Sequence, residues 1–197
     1  MKVLITAFDP FGGEAVNPAY QAVMALPEMI GDRKLVKLEL PTVFETAGQR
    51  LLQAVDAEQP DAVLCVGQAG GRAEITLERV AVNLRDARIA DNGGNQPVDE
   101  PIDPDGPAAY FATIPTRALV EALREREIPA ALSYTAGTFV CNDVLYTLLH
   151  RIHGTGIRGG FVHVPYSTAQ AAGKPAGTPS MPVQTVVQAL RVLVENL

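Results

Sequence analysis

Cys141 and His163 are the two side chains best placed in this sequence to attack a carbonyl and move a proton. Cys141 lies in Thr135-Ala136-Gly137-Thr138-Phe139-Val140-Cys141-Asn142. The apolar run Ile128–Leu132 before it reads as a short buried strand. Beyond it, Val144, Leu145, Leu148 and Leu149 recur at helical spacing. Cys141 therefore falls where a Gly-containing turn becomes the first turn of a helix. Free N–H groups and the positive end of the helix dipole favour thiolate over thiol there. The same N–H groups can hold an oxyanion. A lone cysteine is more often a core residue, but His163, 22 positions on, supplies a base at the end of an apolar strand. A thiolate that attacks a carbonyl, with an imidazolium to protonate the leaving amine, is the chemistry of a cysteine peptidase or amidase. A carboxylate would orient the ring. Glu78 is the leading candidate, with Glu74, Asp86 and Asp143 left open by spacing. His150 and His153 sit at the far end of the Cys141 helix, roughly 13 Å away, where they suit its C-terminus. The Cys, His and Glu spacings match no zinc motif, and Cys65 lies mid-strand, so no metal is expected.

These residues need a scaffold, and the apolar pattern suggests one. Lys2–Phe8, Lys34–Leu40, Ala62–Val66, Ile128–Leu132 and Gly159–Pro165 read as strands. Glu74–Leu84 alternates and reads as an extended ribbon, with Glu78 and Leu77 on opposite faces. Helices are expected from Asn17-Pro18 to about Leu26, with Asn17 as N-cap, and over Phe44–Val55. Further helices are expected over Thr116–Glu125, from Cys141 to about His153, and over Val183–Leu193. Pro107–Phe111 is expected to add a helical turn. Alternation of strands and helices predicts a single α/β domain over residues 1–197, an open, mostly parallel, twisted sheet with helices on both faces. Ligands bind such sheets at the carboxyl ends of the strands. The loop Phe8-Asp9-Pro10-Phe11-Gly12-Gly13, the segment Gly67–Arg72, the Cys141 turn and His163 are all expected on that edge.

Gly67–Arg72 fits neither dinucleotide nor P-loop spacing; it reads as a turn or a close backbone approach to a small ligand. Arg85–Gly106 is long and polar and is expected to be a lid, an excursion or a subunit contact. Ser167–Pro182 reads as a surface loop.

Composition narrows the function classes. The chain has 197 residues, 47% of them hydrophobic, and a net charge of −6. Its basic residues are scattered, which argues against nucleic acid as a partner. No apolar stretch approaches the ~20 residues needed to cross a bilayer, and the N-terminus runs straight into a strand pattern without a secretory signal. Two cysteines are too few for a disulfide framework. Together these predict a cytoplasmic protein with reduced thiols.

Five stretches carry a resemblance. They are Phe8–Gly13 with Asn17-Pro18; Gly67–Arg72 with Glu78-Arg79-Val80-Ala81-Val82-Asn83; Asp91-Asn92 through Gly94-Asn95-Gln96-Pro97; Thr135–Asn142; and Gly159–Pro165. In this order the chain resembles the type I pyroglutamyl peptidases, or pyrrolidone-carboxylate peptidases, along essentially its whole length. The resemblance implies a cytosolic cysteine exopeptidase that needs no cofactor, is usually homotetrameric, and removes an N-terminal pyroglutamyl residue from peptides. It implies Cys141 as nucleophile, His163 as acid and base, Glu78 as the triad acid and Arg88 near the oxyanion. It places Phe8, Phe11, Gln68, Ile89, Phe139 and Val140 around the substrate ring, with Asn17 a further pocket candidate. The Cys-to-His spacing is slightly shorter than in relatives, which the surface turn His153–Arg158 can absorb. The residues alone suit that substrate: pyroglutamate is an uncharged lactam, and two loop phenylalanines suit it better than a carboxylate-lined pocket would. Two rivals remain: another cysteine amidase or esterase, and a phosphorylase-like protein using Gly67–Arg72 for phosphate. A third, a catalytically dead interaction module, fits the intact Cys, His and Glu set poorly.

Overall fold

A computed structural model describes all 197 residues. In chain order its elements are β1 (Lys2–Phe8), α1 (Pro18–Ala25), β2 (Met29–Ile30), β3 (Arg33–Leu40), α2 (Thr46–Glu58), β4 (Ala62–Gln68), β5 (Ile75–Glu78) and β6 (Val80–Val82). Then follow β7 (Ala109–Phe111), α3 (Thr116–Glu125), β8 (Ala130–Ser133), α4 (Val140–Ile152), β9 (Arg158–Val164), α5 (Thr168–Ala171) and α6 (Val183–Glu195). Seven strands form one sheet in the order β2-β3-β1-β4-β9-β5-β8. The inner strands β1, β4 and β9 are continuous apolar runs because helices cover both faces. On one face Ile5, Leu64, Val66, Val162 and Leu77 pack with α1, α3 and α6; on the other, Leu4, Phe8, Cys65 and Phe161 pack with α2 and α4. No helix is long and apolar enough to cross a membrane.

Three expectations need correction. Pro107–Phe111 is not helical: Ala109–Phe111 pairs antiparallel with β6, and the Tyr110 ring packs tilted against Tyr146, centroids 5.3 Å apart. A cross-strand partner and an aromatic anchor outweigh local preference there. α2 starts at Thr46 and not Phe44, because Asp91 holds the Phe44 N–H at 2.8 Å and the Phe44 ring is buried. The third correction concerns direction. β5 runs antiparallel to β9, and β8 runs parallel to β5. The carboxyl end of β8 therefore does not lie on the edge formed by the carboxyl ends of β1, β4 and β9. Residues 134–139 carry the chain back along β8, so that α4 begins beside Gly67 and descends past Gly159, close to Leu148 and Ile152. Cys141 reaches the expected edge by this return segment and not by following a strand end.

Candidate active site

Sheet register brings the chemistry together. Gly67 pairs with His163 across β4 and β9, and His163 pairs with Thr76, two residues before Glu78 on β5. Side chains alternate along each strand, so His163, Thr76 and Glu78 share one face with Phe161 and Cys65. That is the face α4 covers. A Cβ on Gly67 would lie 3.1 Å from Cys141 Sγ and 2.8 Å from Phe161 Cζ. The missing side chain at Gly67 is the space the thiol occupies. His163 stands one strand spacing away, about 4.8 Å.

His163 Nδ1 lies 2.7 Å from Glu78 Oε1, with both side chains buried. This contact orients the ring and leaves Nε2 free. Burial pulls the His163 pKa below its usual value, opposed by the Glu78 hydrogen bond and charge. Burial would raise Glu78, but His163 first, then Ser133 and Arg72, hold its carboxyl below the usual range. Cys141 is partly exposed. Burial around its sulfur, and then the Glu78 charge, push the thiol up to about 12. Burial thus opposes the thiolate that the helix N-terminus favours. Cys65 is fully buried, and burial raises it to about 12 as well.

The start of α4 is held by Asn142. Its amide donates to the Val82 and Leu84 carbonyls at 2.9 and 3.0 Å and accepts from Val82 N–H at 3.0 Å. The N–H groups of Asn142 and Asp143 bond back to Phe139, whereas those of Val140 and Cys141 have no backbone acceptor.

The pocket candidates divide. Phe11 and Phe139 are partly exposed, with ring centroids 6.3 Å apart, and Phe44 packs edge-on to Phe139 at 5.3 Å. Phe8 and Val140 are buried in the core beneath. Asn17 spends its amide on capping α1 and bonding the Asp9 carbonyl. The Gln68 side-chain oxygen accepts from Gln170 at 3.0 Å, which leaves its amide N–H groups for a ligand. Ile89 and Arg88 stand exposed on the long segment, and no side-chain partner engages the Arg88 guanidinium. That segment is anchored, not free. Asp86 and Thr138 exchange hydrogen bonds at 3.1 and 2.7 Å, and Asn92 reaches Pro10 at 2.9 Å. Asp91 accepts from the N–H groups of Phe44, Gly93 and Asn95, each at 2.8 Å.

Sequence reasoning gave no role to Gly67, Arg72, Phe44 or Asn142. Arg72 sits in a segment singled out only for its glycines, and Asn142 beside the nucleophile reads as an ordinary early-helix residue. Of the other carboxylates left open, Asp143 is buried but bonds Arg85 at 2.7 Å, and Glu74 and Asp86 make no contact with His163. A groove of about 360 Å³ between α2 and α4 holds none of these residues; its Arg85, Arg151 and His150 are already paired with Asp143, Asp56 and Asp103. No group of three or more His, Cys, Asp or Glu is close enough to hold a metal ion.

The chain is similar to known proteins along its whole length. A family model described as pyroglutamyl peptidase matches residues 1–197. A pyrrolidone-carboxylate peptidase from Pectobacterium carotovorum is 55% identical over 197 residues, covering 98% of this chain and 91% of the relative. One from Enterococcus faecalis is 50% identical over 197 residues, covering 99% and 92%. The crystal structure of Bacillus amyloliquefaciens pyroglutamyl peptidase I superposes with a TM-score of 0.95 at 48% identity, covering 99% of this chain and 95% of that one. A mutant pyrrolidone carboxyl peptidase from Pyrococcus furiosus gives a TM-score of 0.95 at 42% identity, covering 99% and 97%.

Proposed function

The chain belongs to the pyroglutamyl peptidase family of cysteine peptidases, and we propose that it hydrolyses the amide bond after an N-terminal pyroglutamyl residue with Cys141, His163 and Glu78 as its triad. The observation that carries the triad is the 2.7 Å contact of His163 Nδ1 with Glu78, on the sheet face where Gly67 makes room for the Cys141 thiol.

With Nδ1 held by the carboxylate, Nε2 accepts the thiol proton as sulfur attacks the pyroglutamyl carbonyl. Charge then develops on the carbonyl oxygen. The N–H groups of Val140 and Cys141, which have no backbone acceptor at the helix start, would receive it, with the Arg88 guanidinium, exposed and without a side-chain partner, as a second donor. The imidazolium returns its proton to the leaving amine, and the C–N bond breaks to leave a thioacyl-enzyme. Water, deprotonated by the same Nε2, attacks the thioester and releases pyroglutamate and the thiol. Burial around the sulfur favours the neutral thiol, which suits proton transfer to Nε2 as part of the attack.

Selectivity rests on the wall built by Phe11 and Phe139, to which the exposed Ile89 would add. These apolar groups suit an uncharged lactam. A free ammonium in the same place would be stranded without a counter-anion. Copies of the chain are expected to associate as a homotetramer, which the exposed Val98, Phe111 and Tyr134 would suit. A reducing cytoplasm matches two free cysteines, one of them the nucleophile.

The test is release of a fluorescent amine from a pyroglutamyl amide and from its open-chain glutaminyl analogue, before and after treatment with iodoacetamide. Cleavage of the first alone, abolished by alkylation, is the expected outcome. Equal cleavage of both substrates contradicts the account of selectivity, and activity that survives alkylation contradicts the thiol mechanism.

A further inference from the structure

Arg72 closes the glycine-rich segment Gly67–Arg72 and makes a three-way contact that the triad by itself does not explain. Its Nη1 donates to Glu78 Oε1 at 2.7 Å and to Thr76 Oγ1; its Nη2 donates to the Thr135 carbonyl at 3.3 Å. Glu78 Oε1 therefore serves His163 and Arg72 together, while Oε2 is buried without a partner. The other groups that face Glu78 are Thr76 on its own strand, Ser133 across β8, His163 across β9 and the Cys141 thiol on α4. None of them is a permanent cation. Arg72 is.

Resting on the triad reading above, we propose that Arg72 is the positioning residue of the catalytic carboxylate: it holds Glu78 ionised and in one orientation, and thereby sets the tautomer of His163. A buried carboxylate beside a neutral imidazole alone would favour its protonated form. Protonated Glu78 would donate to Nδ1, and the ring proton would then sit on Nε2, facing the thiol with no lone pair to accept. Ionised Glu78 instead accepts from Nδ1–H and leaves Nε2 as the base. The third contact, to Thr135, ties the same guanidinium to the start of the turn that delivers Cys141. Carboxylate and nucleophile are thus registered on one planar group. A lysine can supply the charge but not the fork.

The test compares Arg72→Met and Arg72→Lys with the unaltered enzyme in kcat and KM for a pyroglutamyl amide across pH. ¹⁵N NMR of the imidazoles, with His163 assigned from His163→Ala, adds a readout independent of turnover. Arg72→Met is expected to lower kcat about ten- to hundred-fold with KM little changed. It should also move the acid limb of the profile to higher pH, because Glu78 then protonates more readily, and convert His163 from the Nδ1–H to the Nε2–H tautomer. Arg72→Lys should restore the acid limb and part of kcat. If the methionine variant does not fold, Arg72→Gln gives the same readouts. An unmoved acid limb with an unchanged tautomer overturns the proposal, whatever happens to kcat. Cys141→Ser and His163→Ala run alongside: if they stay active the triad itself fails, and if they are inactive while Arg72→Met is unmoved only the role of Arg72 fails.

Discussion

The chemical state of Cys141 is decided by two opposing effects within a few ångströms. Free N–H groups at the start of α4 favour sulfur as an anion. Burial and then the nearby Glu78 carboxylate disfavour it and push the thiol up to about 12. Below that value the thiolate fraction rises tenfold per pH unit. Alkylation of Cys141 by iodoacetamide in the free enzyme should therefore keep accelerating through the alkaline range, with no plateau near neutrality. A rate already level at pH 7 would mean a preformed thiolate–imidazolium pair and would return the decision to the helix N-terminus. Cys141 and His163 were legible in the sequence because each sits beside a recognisable feature, a Gly turn entering a helix and a polar break in an apolar strand. Glu78 could only be one candidate of several, since the pairing of β5 with β9 that selects it is not written in local pattern. Arg72 was hidden for the same reason: its partners lie on β5 and in the turn before α4.

At the scale of elements, the site depends on how closely α4 approaches the sheet. Gly67 permits that approach, because a Cβ there would press within 2.8 Å of Phe161 Cζ and 3.1 Å of the nucleophile. Gly67→Ala should displace the thiol or the ring and lower kcat/KM about ten- to hundred-fold. Gly71 in the same segment has open space around it and a φ of +91°, so Gly71→Ala strains the backbone without touching the thiol. Wild-type turnover in Gly67→Ala would show that the contact is not what seats Cys141. The sequence marked Gly67–Arg72 as needing glycine but not which glycine faced the site. Strand and helix cores were legible from periodicity in β1, β4, α3, α4 and α6. The segment 107–111 was not, because three residues of strand are specified by their partner β6 and by Tyr110 packing on Tyr146.

For the molecule as a whole, alternating strands and helices implied an open α/β sheet, and the structure has one. The antiparallel direction of β5, and with it β8, was not implied, since an apolar run carries no sign of which way it is traversed. Within the long segment 85–106, Asp91 orders the turn 91–95 and ties it to Phe44. Burial alone would raise this carboxyl, yet hydrogen bonds from Asn95, Phe44 and Gly93 hold it below its ordinary 3.8. A carboxyl lowered in the folded state adds stability that is present above its unfolded pKa and lost as pH falls through the folded one. Asp91→Asn should therefore lower Tm at neutral pH and flatten the fall of Tm as pH drops through and below about 3.8; an acid limb identical to wild type would remove Asp91 from that role. Catalysis is the act of the whole assembly, and at its centre the partly exposed Cys141 thiol, not the buried Cys65, attacks the substrate. The most direct measurement is kcat/KM for a pyroglutamyl amide in Cys141→Ser and in Cys65→Ser. The account predicts a loss of at least about a thousand-fold in the first, with its fold intact, and near wild-type activity in the second. An active Cys141→Ser, or a Cys65→Ser that folds and is inactive, would contradict it.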